Sequence, residues 1–186
     1  MNLYDEWSKG LAYKDFLARY GKPNDLTRWQ KNFDQTVLNQ GQIHLLVGFK
    51  RQMPVLCLAG AWCGDCANQC PIFARFAEAT PTIDLRFLDR DDHADVQKTL
   101  QINGGNRIPV VVFFSEDGFE VARYGERSLA QYRDMAQRVE GAVCATGINI
   151  ASDPLPVRIM QDWLDEFERA QIILRLSSRL RQKHRD

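Results

Sequence analysis

The stretch Trp62-Cys63-Gly64-Asp65-Cys66 lies between an apolar run and a segment with helical spacing. The apolar run, Pro54-Val55-Leu56-Cys57-Leu58-Ala59-Gly60, predicts a buried strand. A strand, a sharp turn and a helix place Cys63 at a helix N-terminus, where unpaired N–H groups and the helix dipole favour an anion. A thiolate is such an anion and is the reactive form of cysteine. The stretch therefore predicts a dithiol–disulfide redox site.

The composition limits the class of protein. A length of 186 residues favours one domain with elaborations, with two small domains as the alternative, and 45% hydrophobic content is enough for a core. The 24 basic and 24 acidic side chains give no net charge, which argues against general nucleic-acid binding because such binding needs a basic surface. No apolar stretch approaches the roughly 18 residues that span a bilayer. We therefore expect no nucleic-acid partner and no membrane span.

The N-terminus and the cysteines predict the compartment. Residues 1–7 lack the basic-then-apolar layout of a signal peptide, so we expect a cytoplasmic protein. Five cysteines, an odd number in a long chain, do not indicate a secreted disulfide framework. A closed zinc site takes four ligands, usually as two pairs, whereas this sequence has one CxxC and three scattered histidines. We expect neither a metal nor a bound cofactor, because the cysteines themselves carry the electrons.

Residues 1–41 are predicted to form an N-terminal helical extension. Apolar residues at helical spacing predict one or two helices in 2–20, where Gly10 weakens a single helix, and another from about 24 to 41. Residues 42–52 are interpreted as a short helix, with a strand as the alternative. We expect the aromatic side chains of this region to be packing residues (Trp7, Trp29 and Phe33).

Residues 42–147 are predicted to form one α/β domain. Alternation and β-branched runs predict four strands, and helical spacing predicts three helices between and after them. The strands are at 53–59, 83–89, 110–114 and 119–124, and the helices at 65–79, 91–101 and 129–143. Helical connections predict that the first three strands are parallel neighbours, and Glu116-Asp117-Gly118 predicts an antiparallel hairpin for the last two. The result is a mixed sheet flanked by helices.

Residues 154–186 follow a proline-rich break and are predicted to form a C-terminal amphipathic helix, continuous from 157 to about 181. Its apolar stripe must pack on its own domain or on a partner, so a homodimer through this helix is one hypothesis. Five basic side chains between 175 and 185 complement the dipole at the end of the helix, with membrane-surface or partner binding as the alternative.

The region of about residues 42–145 resembles thioredoxin. The resemblance depends on the WCGDC motif at a strand-to-helix turn, on Pro71 five residues after Cys66, on Ile108-Pro109 at the start of a strand, and on Gly125 beyond the hairpin. In that family the corresponding proline is cis and lies beside the disulfide. The sequence is similar, more specifically, to a bacterial group with WCGDC, an Asp-Arg-Asp segment, an Asn-Gly-Gly loop and an N-terminal helical extension. The matching segments are Asp89-Arg90-Asp91 and Asn103-Gly104-Gly105.

The resemblance and the position of each cysteine predict a division of roles. Cys63, before the helix, attacks a substrate disulfide, and Cys66, one turn later and less exposed, resolves the mixed disulfide. The substrate-binding residues are expected to be Trp62, Ile108, Pro109 and Gly125, with core packing as the alternative for Trp62. Arg107 is expected either to steer acidic substrates or simply to be solvated.

Two departures from the family pattern concern proton transfer. Asp65 replaces the usual proline of the motif, and Cys57 replaces a buried aspartate, so the usual proton relay is missing or rearranged. We expect Asp65 to point to solvent and to raise the pKa of the Cys63 thiol. Cys70 lies one turn after Cys66 and is predicted to be a small buried hydrophobe, with an alternative disulfide or regulatory thiol as the other interpretation. Cys57 and Cys144 are likewise predicted to be small buried hydrophobes. The expected modulating residues are Gly64, Asp65, Cys57 and Cys70.

These observations favour a thiol–disulfide oxidoreductase that reduces disulfide-containing proteins with electrons from a reductase or a small thiol. The alternative is a thioredoxin-fold binding or adaptor module whose helical extensions cover the groove and recruit one partner. The missing aspartate and the extra terminal helices support that alternative.

Overall fold

The computed structural model describes residues 1–139 and 153–186. The N-terminal helices are α1 (Leu3–Ser8), α2 (Tyr13–Tyr20), α3 (Pro23–Gln35) and α4 (Gln40–Val47). The central elements are β1 (Met53–Ala59), α5 (Gly64–Ala79), β2 (Ile83–Asp89), α6 (Ala94–Thr99), β3 (Val110–Phe114), β4 (Glu120–Gly125) and α7 (Leu129–Ala136). The C-terminal helices are α8 (Leu155–Leu176) and α9 (Ser178–His184). The strands lie within a residue of their predicted bounds, whereas α3 and α6 are shorter than predicted.

The four strands form one mixed sheet in the order β2-β1-β3-β4. β1 is parallel to β2, and β3 is antiparallel to both β1 and β4. The prediction that the first three strands are parallel neighbours is therefore wrong for β3. β2 ends at Asp89 opposite Ala59, and β3 begins at Val110 next to Leu58, so the chain re-enters the sheet at the same end of the strands at which it left, on the other side of β1. The six-residue α6 spans about 9 Å, too short to cross back over a seven-residue strand of about 23 Å.

The N-terminal helices pack against one edge and one face of the sheet. Leu11 pairs with Phe87 through two backbone hydrogen bonds (2.8 and 2.9 Å), which protects the edge strand β2 from pairing with another chain. The Trp7 indole donates to the Asp84 carbonyl (3.1 Å), and Trp29 is fully buried. Phe33 stacks on Tyr13 with ring centres 5.6 Å apart. The predicted packing role of the three aromatic residues is thus confirmed.

Most of the apolar stripe of α8 is buried within this chain, whereas Ile172, Ile173 and Leu176 near its end are exposed. Trp163 and Phe167 are fully buried, and Phe167 packs edge-to-face against Phe76 and Phe113. The stripe therefore has an intramolecular partner, and a homodimer through this helix stays a prediction. No helix in the two described ranges is long and apolar enough to cross a lipid bilayer.

The predicted single C-terminal helix is interrupted at Ser177. Its backbone leaves the helical region (ψ 115°), and its hydroxyl caps α9 by accepting from the Leu180 amide (3.4 Å). The basic residues of α9 pair with acidic residues of the β3–β4 hairpin: Lys183 and His184 lie 2.6 and 2.9 Å from Glu116, and Arg179 pairs with Asp117. This basic cluster is thus largely neutralised by the chain itself.

The ends of the predicted domains are only partly described. α7 begins after the Ser128 cap, as predicted, and its α-helical residues end at Ala136. The predicted continuation to 143, Cys144 and the boundary at 147 fall partly or wholly in residues 140–152, outside the described residues. The domain boundaries stay a prediction.

Candidate active site

The turn after β1 places Cys63 at the N-cap of α5. Its backbone is extended (ψ 129°), and its sulfur accepts a hydrogen bond from the Cys66 amide at 3.5 Å. The Cys63 amide in turn donates to the Gly60 carbonyl at 3.0 Å, which closes the turn. The first N–H groups of a helix have no partner within the helix, so they stabilise a negative charge on this sulfur. The geometry predicted from the sequence for Cys63 is present.

The two motif cysteines differ in access. Cys63 is half-buried, whereas Cys66 has no exposed surface, and both are free thiols. The interaction between the two thiols raises the pKa of Cys63 above the ordinary cysteine value and, against the effect of burial, lowers the pKa of Cys66 below it. Loss of the first proton leaves one thiolate within this coupled pair, and Cys63 is the member of the pair that is accessible from solution.

Ile108, Pro109 and Gly125 lie together beside Cys63. The Cys63 thiol is 3.9 Å from the Ile108 carbonyl oxygen, and the Ile108–Pro109 peptide bond is cis. Gly125 pairs with Val110 in the sheet, and a Cβ atom at Gly125 would lie 2.6 Å from the Pro109 carbonyl oxygen. Only glycine permits this close approach of the two backbones. Three of the predicted substrate-binding residues therefore meet next to the half-buried sulfur.

Trp62 is on the surface rather than in the core. Its side chain is 48% exposed, and the Arg90 guanidinium lies 4.5 Å from the ring centre. Arg90 is positioned by its backbone amide, which donates to the Ala59 carbonyl (2.8 Å). The same turn is held by the Asp89 carboxylate, which accepts from the Asp91 amide. The interpretation of Trp62 as a core residue is wrong. The ring and the cation above it therefore form an exposed surface at the motif turn, beside Cys63 in the sequence.

Asp65 was expected from the sequence to point to solvent, and this expectation is wrong. Its carboxylate accepts from the Arg127 guanidinium (2.6 Å) and from the Gln131 side-chain amide (3.3 Å). Both partners come from the segment after β4, which the fold brings against the first turn of α5. The carboxylate is thus compensated, so its expected effect of raising the pKa of Cys63 is opposed by a cation at hydrogen-bonding distance. Its neighbour Gly64 has open space around it, because an added Cβ would meet no atom within 4 Å.

A buried glutamate joins this ion pair to the cis-proline loop. Glu126, 4% exposed, accepts from Arg107 (2.5 Å), Arg127 (2.9 Å) and the Tyr132 hydroxyl (2.8 Å). Because an unpaired buried carboxylate would be costly, the three donors fix Glu126 and are fixed by it. Arg107 is therefore neither free nor merely solvated. The network connects the loop before Pro109 with the carboxylate inside the motif.

Helix α3 holds the motif turn from the other side. The Trp29 indole donates to the Ala61 carbonyl (2.8 Å), Arg28 to the Trp62 carbonyl (3.0 Å) and Asn32 to the Ala67 carbonyl (2.8 Å). These three side chains satisfy carbonyls on both sides of the cysteine pair. The N-terminal helices are therefore part of the scaffold of this site.

Cys57 and Cys70 are fully buried beneath the motif, with their sulfurs 3.9 Å apart. Burial raises the pKa of both thiols. The interpretation of both as buried side chains is confirmed. Among residues 1–139 and 153–186, no group of three or more His, Cys, Asp or Glu side chains is arranged to hold a metal ion.

A family model described as thioredoxin matches residues 10–140 of the sequence. The chain belongs to the thioredoxin family. Its fold is similar to that of a protein of unknown function from Pseudomonas aeruginosa (TM-score 0.65, 16% identity, 91% of this chain and 94% of that one). The fold is also similar to that of an HIV epitope-scaffold protein (TM-score 0.63, 16% identity, 96% of this chain and 100% of that one). A thioredoxin from Fasciola hepatica matches at 25% identity over 51% of this chain and 88% of that one, with a TM-score of 0.36. No curated protein matches the sequence.

For a member of this family, the recognised motif covers only part of the site. The sequence did not predict a role at the site for Glu126, Arg127, Gln131 or the donors from α3, and Trp29 was expected only to pack. The one local indication that Glu126 and Arg127 lie at the site was their position directly after Gly125 in the sequence. The distance of more than 60 residues between Asp65 and Arg127 hides their contact until the fold is known.

Proposed function

We propose that this thioredoxin-family protein is a thiol–disulfide oxidoreductase that reduces disulfide bonds in protein substrates. The observation that carries the proposal is the half-buried Cys63 sulfur at the N-cap of α5, with the fully buried Cys66 one turn away. In the proposed cycle the Cys63 thiolate attacks one sulfur of the substrate disulfide, and the other leaves as a thiol. Cys66 then attacks Cys63, which releases the second substrate thiol and leaves a Cys63–Cys66 disulfide.

The residues around Cys63 suggest how a substrate is held. We assign substrate contact to Trp62 and to the backbone of Ile108, beside Pro109 and Gly125. Because Pro109 has no N–H, an extended substrate segment would pair with Ile108, in the manner that the family resemblance implies. The electrons that restore the dithiol would come from a reductase or a small thiol. A reducing compartment such as the cytoplasm fits this chemistry, and the finer resemblance to the bacterial WCGDC group stays a prediction.

The adaptor alternative requires the helical extensions to cover the groove. In the described part of the chain Trp62 is 48% exposed and Cys63 remains accessible, and the contacts from α3 go to backbone carbonyls of the turn. This arrangement supports turnover rather than occlusion.

Reduction of insulin disulfides with dithiothreitol as electron source tests the proposal. We expect the protein to accelerate the reaction at least tenfold over dithiothreitol alone, and Cys63→Ser to return the rate to background. Cys144→Ser is the matched control, which removes a thiol outside the motif and should keep the rate. Cys66→Ser should trap mixed disulfides through Cys63. No acceleration by the wild-type protein, or the same rate in Cys63→Ser, would contradict the proposal.

A further inference from the structure

Four cysteines lie at the motif turn and in the buried core beneath it. Cys63 is half-buried, whereas Cys66, Cys70 and Cys57 have no exposed surface. Cys66 and Cys70 lie one turn apart on the same face of α5, so their side chains are neighbours along the helix. The Cys70 sulfur is 3.9 Å from that of Cys57, on the central strand β1. Each sulfur therefore has the next one as its neighbour.

The inner two thiols have no other partner among the described residues. The hydrogen bonds of the Cys57 and Cys70 thiols go to cysteine sulfurs alone, and their surroundings are the apolar core, with Cys57 paired in the sheet to Val111 and Phe87. A fully buried thiol cannot meet a disulfide in solution. Cys66 is therefore the route by which these two thiols could exchange with anything outside.

We propose that Cys57 and Cys70 form a second, internal redox site that reduces the Cys63–Cys66 disulfide from the core side. The inference rests on the proposed function, because its oxidant is the Cys63–Cys66 disulfide that one round of substrate reduction leaves. It adds a second pair of electrons to each molecule, so that one fully reduced protein reduces two substrate disulfides before it needs its electron donor.

Two exchange steps complete the transfer. The Cys70 sulfur attacks that of Cys66: a Cys66–Cys70 bond forms, the Cys63–Cys66 bond breaks, and Cys63 leaves and takes up the proton that Cys70 gives up. Cys57 then attacks Cys70: a Cys57–Cys70 bond forms, the Cys66–Cys70 bond breaks, and Cys66 takes up the proton that Cys57 gives up. Overall, Cys57 and Cys70 lose two electrons and two protons, and Cys63 and Cys66 gain them. No further reactant is needed.

The test counts disulfides in a Cys144→Ser variant, which leaves four thiols. The reduced protein is incubated with excess oxidised glutathione, quenched in acid, unfolded and alkylated with N-ethylmaleimide. Its molecular mass then gives the number of alkylated thiols. We expect no alkylated thiol, four glutathione thiols released per protein, and a Cys57–Cys70 disulfide in the peptide map. Cys57→Ala should keep the Cys63–Cys66 disulfide and should release only two glutathione thiols per protein.

The outcomes separate this inference from the proposed function. Two alkylated thiols, identified as Cys57 and Cys70, would overturn the internal site and leave the proposed function standing. Four alkylated thiols would overturn the proposed function and the inference with it. A Cys66→Ala variant tests the route: a Cys57–Cys70 disulfide that forms as fast without Cys66 would contradict the relay. Because this comparison measures a rate in a chain that retains both inner cysteines, it does not depend on the folding of Cys57→Ala.

Discussion

Asp65 and Arg127 form an ion pair at the first turn of α5, with the two side chains 24% and 20% exposed. A carboxylate inside the motif would oppose ionisation of the neighbouring thiols if it were alone, and the guanidinium compensates it. A partly exposed pair of this kind has an energy of about 1 kcal/mol or less, which corresponds to about a fivefold change in an equilibrium. The pair is therefore a modest regulator of the cysteines.

Arg127→Met should expose the motif cysteines to the uncompensated carboxylate. We expect iodoacetamide to alkylate Cys63 about fivefold more slowly at pH 7, since the thiolate form becomes less favourable by about 1 kcal/mol. In an Asp65→Asn background the same Arg127→Met change should have no such effect. If the slowing is as large when residue 65 is asparagine, Arg127 acts on the site by another route.

Gly125 and Gly64 offer a matched pair of glycine-to-alanine changes. At Gly125 the new methyl group would lie 2.6 Å from the Pro109 carbonyl oxygen, so the backbone must shift, whereas at Gly64 it would meet nothing within 4 Å. We expect Gly125→Ala to cost about 1–3 kcal/mol of stability and to reduce insulin reduction several-fold. Gly64→Ala should change stability by less than about 0.5 kcal/mol. Urea unfolding of both variants measures the difference, and equal stabilities would refute this account.

At the scale of the elements, α3 and the segment after β4 hold opposite sides of the motif turn. α3 donates from two side chains to carbonyls of the turn and from a third to a carbonyl in the first turn of α5, and the second segment supplies the Glu126–Arg127 network. A turn whose carbonyls are satisfied by a neighbouring helix keeps its shape when the sulfurs change their bonding.

Trp29→Phe tests the contribution of α3. The change removes the indole donor and leaves the Ala61 carbonyl without its partner in a buried place, so we expect a loss of about 2 kcal/mol in the free energy of unfolding. Trp7→Phe is the control, because it removes an indole donor to the Asp84 carbonyl at a partly exposed site and should cost less than about 1 kcal/mol. The hypothesis fails if the two variants lose the same stability in urea titrations.

At the scale of the whole molecule, the N- and C-terminal helices close the sheet on two sides. The N-terminal segment pairs with the edge strand β2, and α9 is attached to the β3–β4 hairpin through Glu116 and Asp117. Burial raises the pKa of Glu116, but hydrogen bonds from Lys183 and His184 outweigh it and lower the pKa below its ordinary value of 4.5. The charged form of Glu116 therefore stabilises the folded state.

The attachment of α9 should depend on pH. Because the pKa of Glu116 is lower in the folded than in the unfolded chain, its contribution is present above about pH 4.5 and is lost as the pH falls through the folded pKa. We expect the amides of α9 to exchange hydrogen faster at pH 3 than at pH 6, after correction for intrinsic rates. Glu116→Gln should remove part of this dependence. Unchanged protection of α9 between the two pH values would contradict the assignment.

The local pattern of the sequence determined the strands, the turn and the position of Cys63. Met53–Ala59 and Val110–Phe114 are continuous apolar runs of strand length. A cysteine at the end of a short turn between such a strand and a helix is placed at the N-cap of that helix, as Cys63 is. The same local reasoning found Pro109 and Gly125, because their family pattern lies in a few neighbouring residues. Burial of Cys57 and Cys70 followed from their place on a core strand and on the inner face of α5.

Only the tertiary structure decided the direction of β3, the partner of Asp65 and the contact between Cys57 and Cys70. β3 runs antiparallel to β1 because its connection returns to the same end of the strands, and no local sequence pattern indicates to which end a connection returns. Asp65 is paired because the fold brings residue 127 to within 2.6 Å of it, and side-chain contacts between distant residues have no local signature. The dithiol motif is thus determined by the sequence, whereas the charges and sulfurs that surround it are determined by packing.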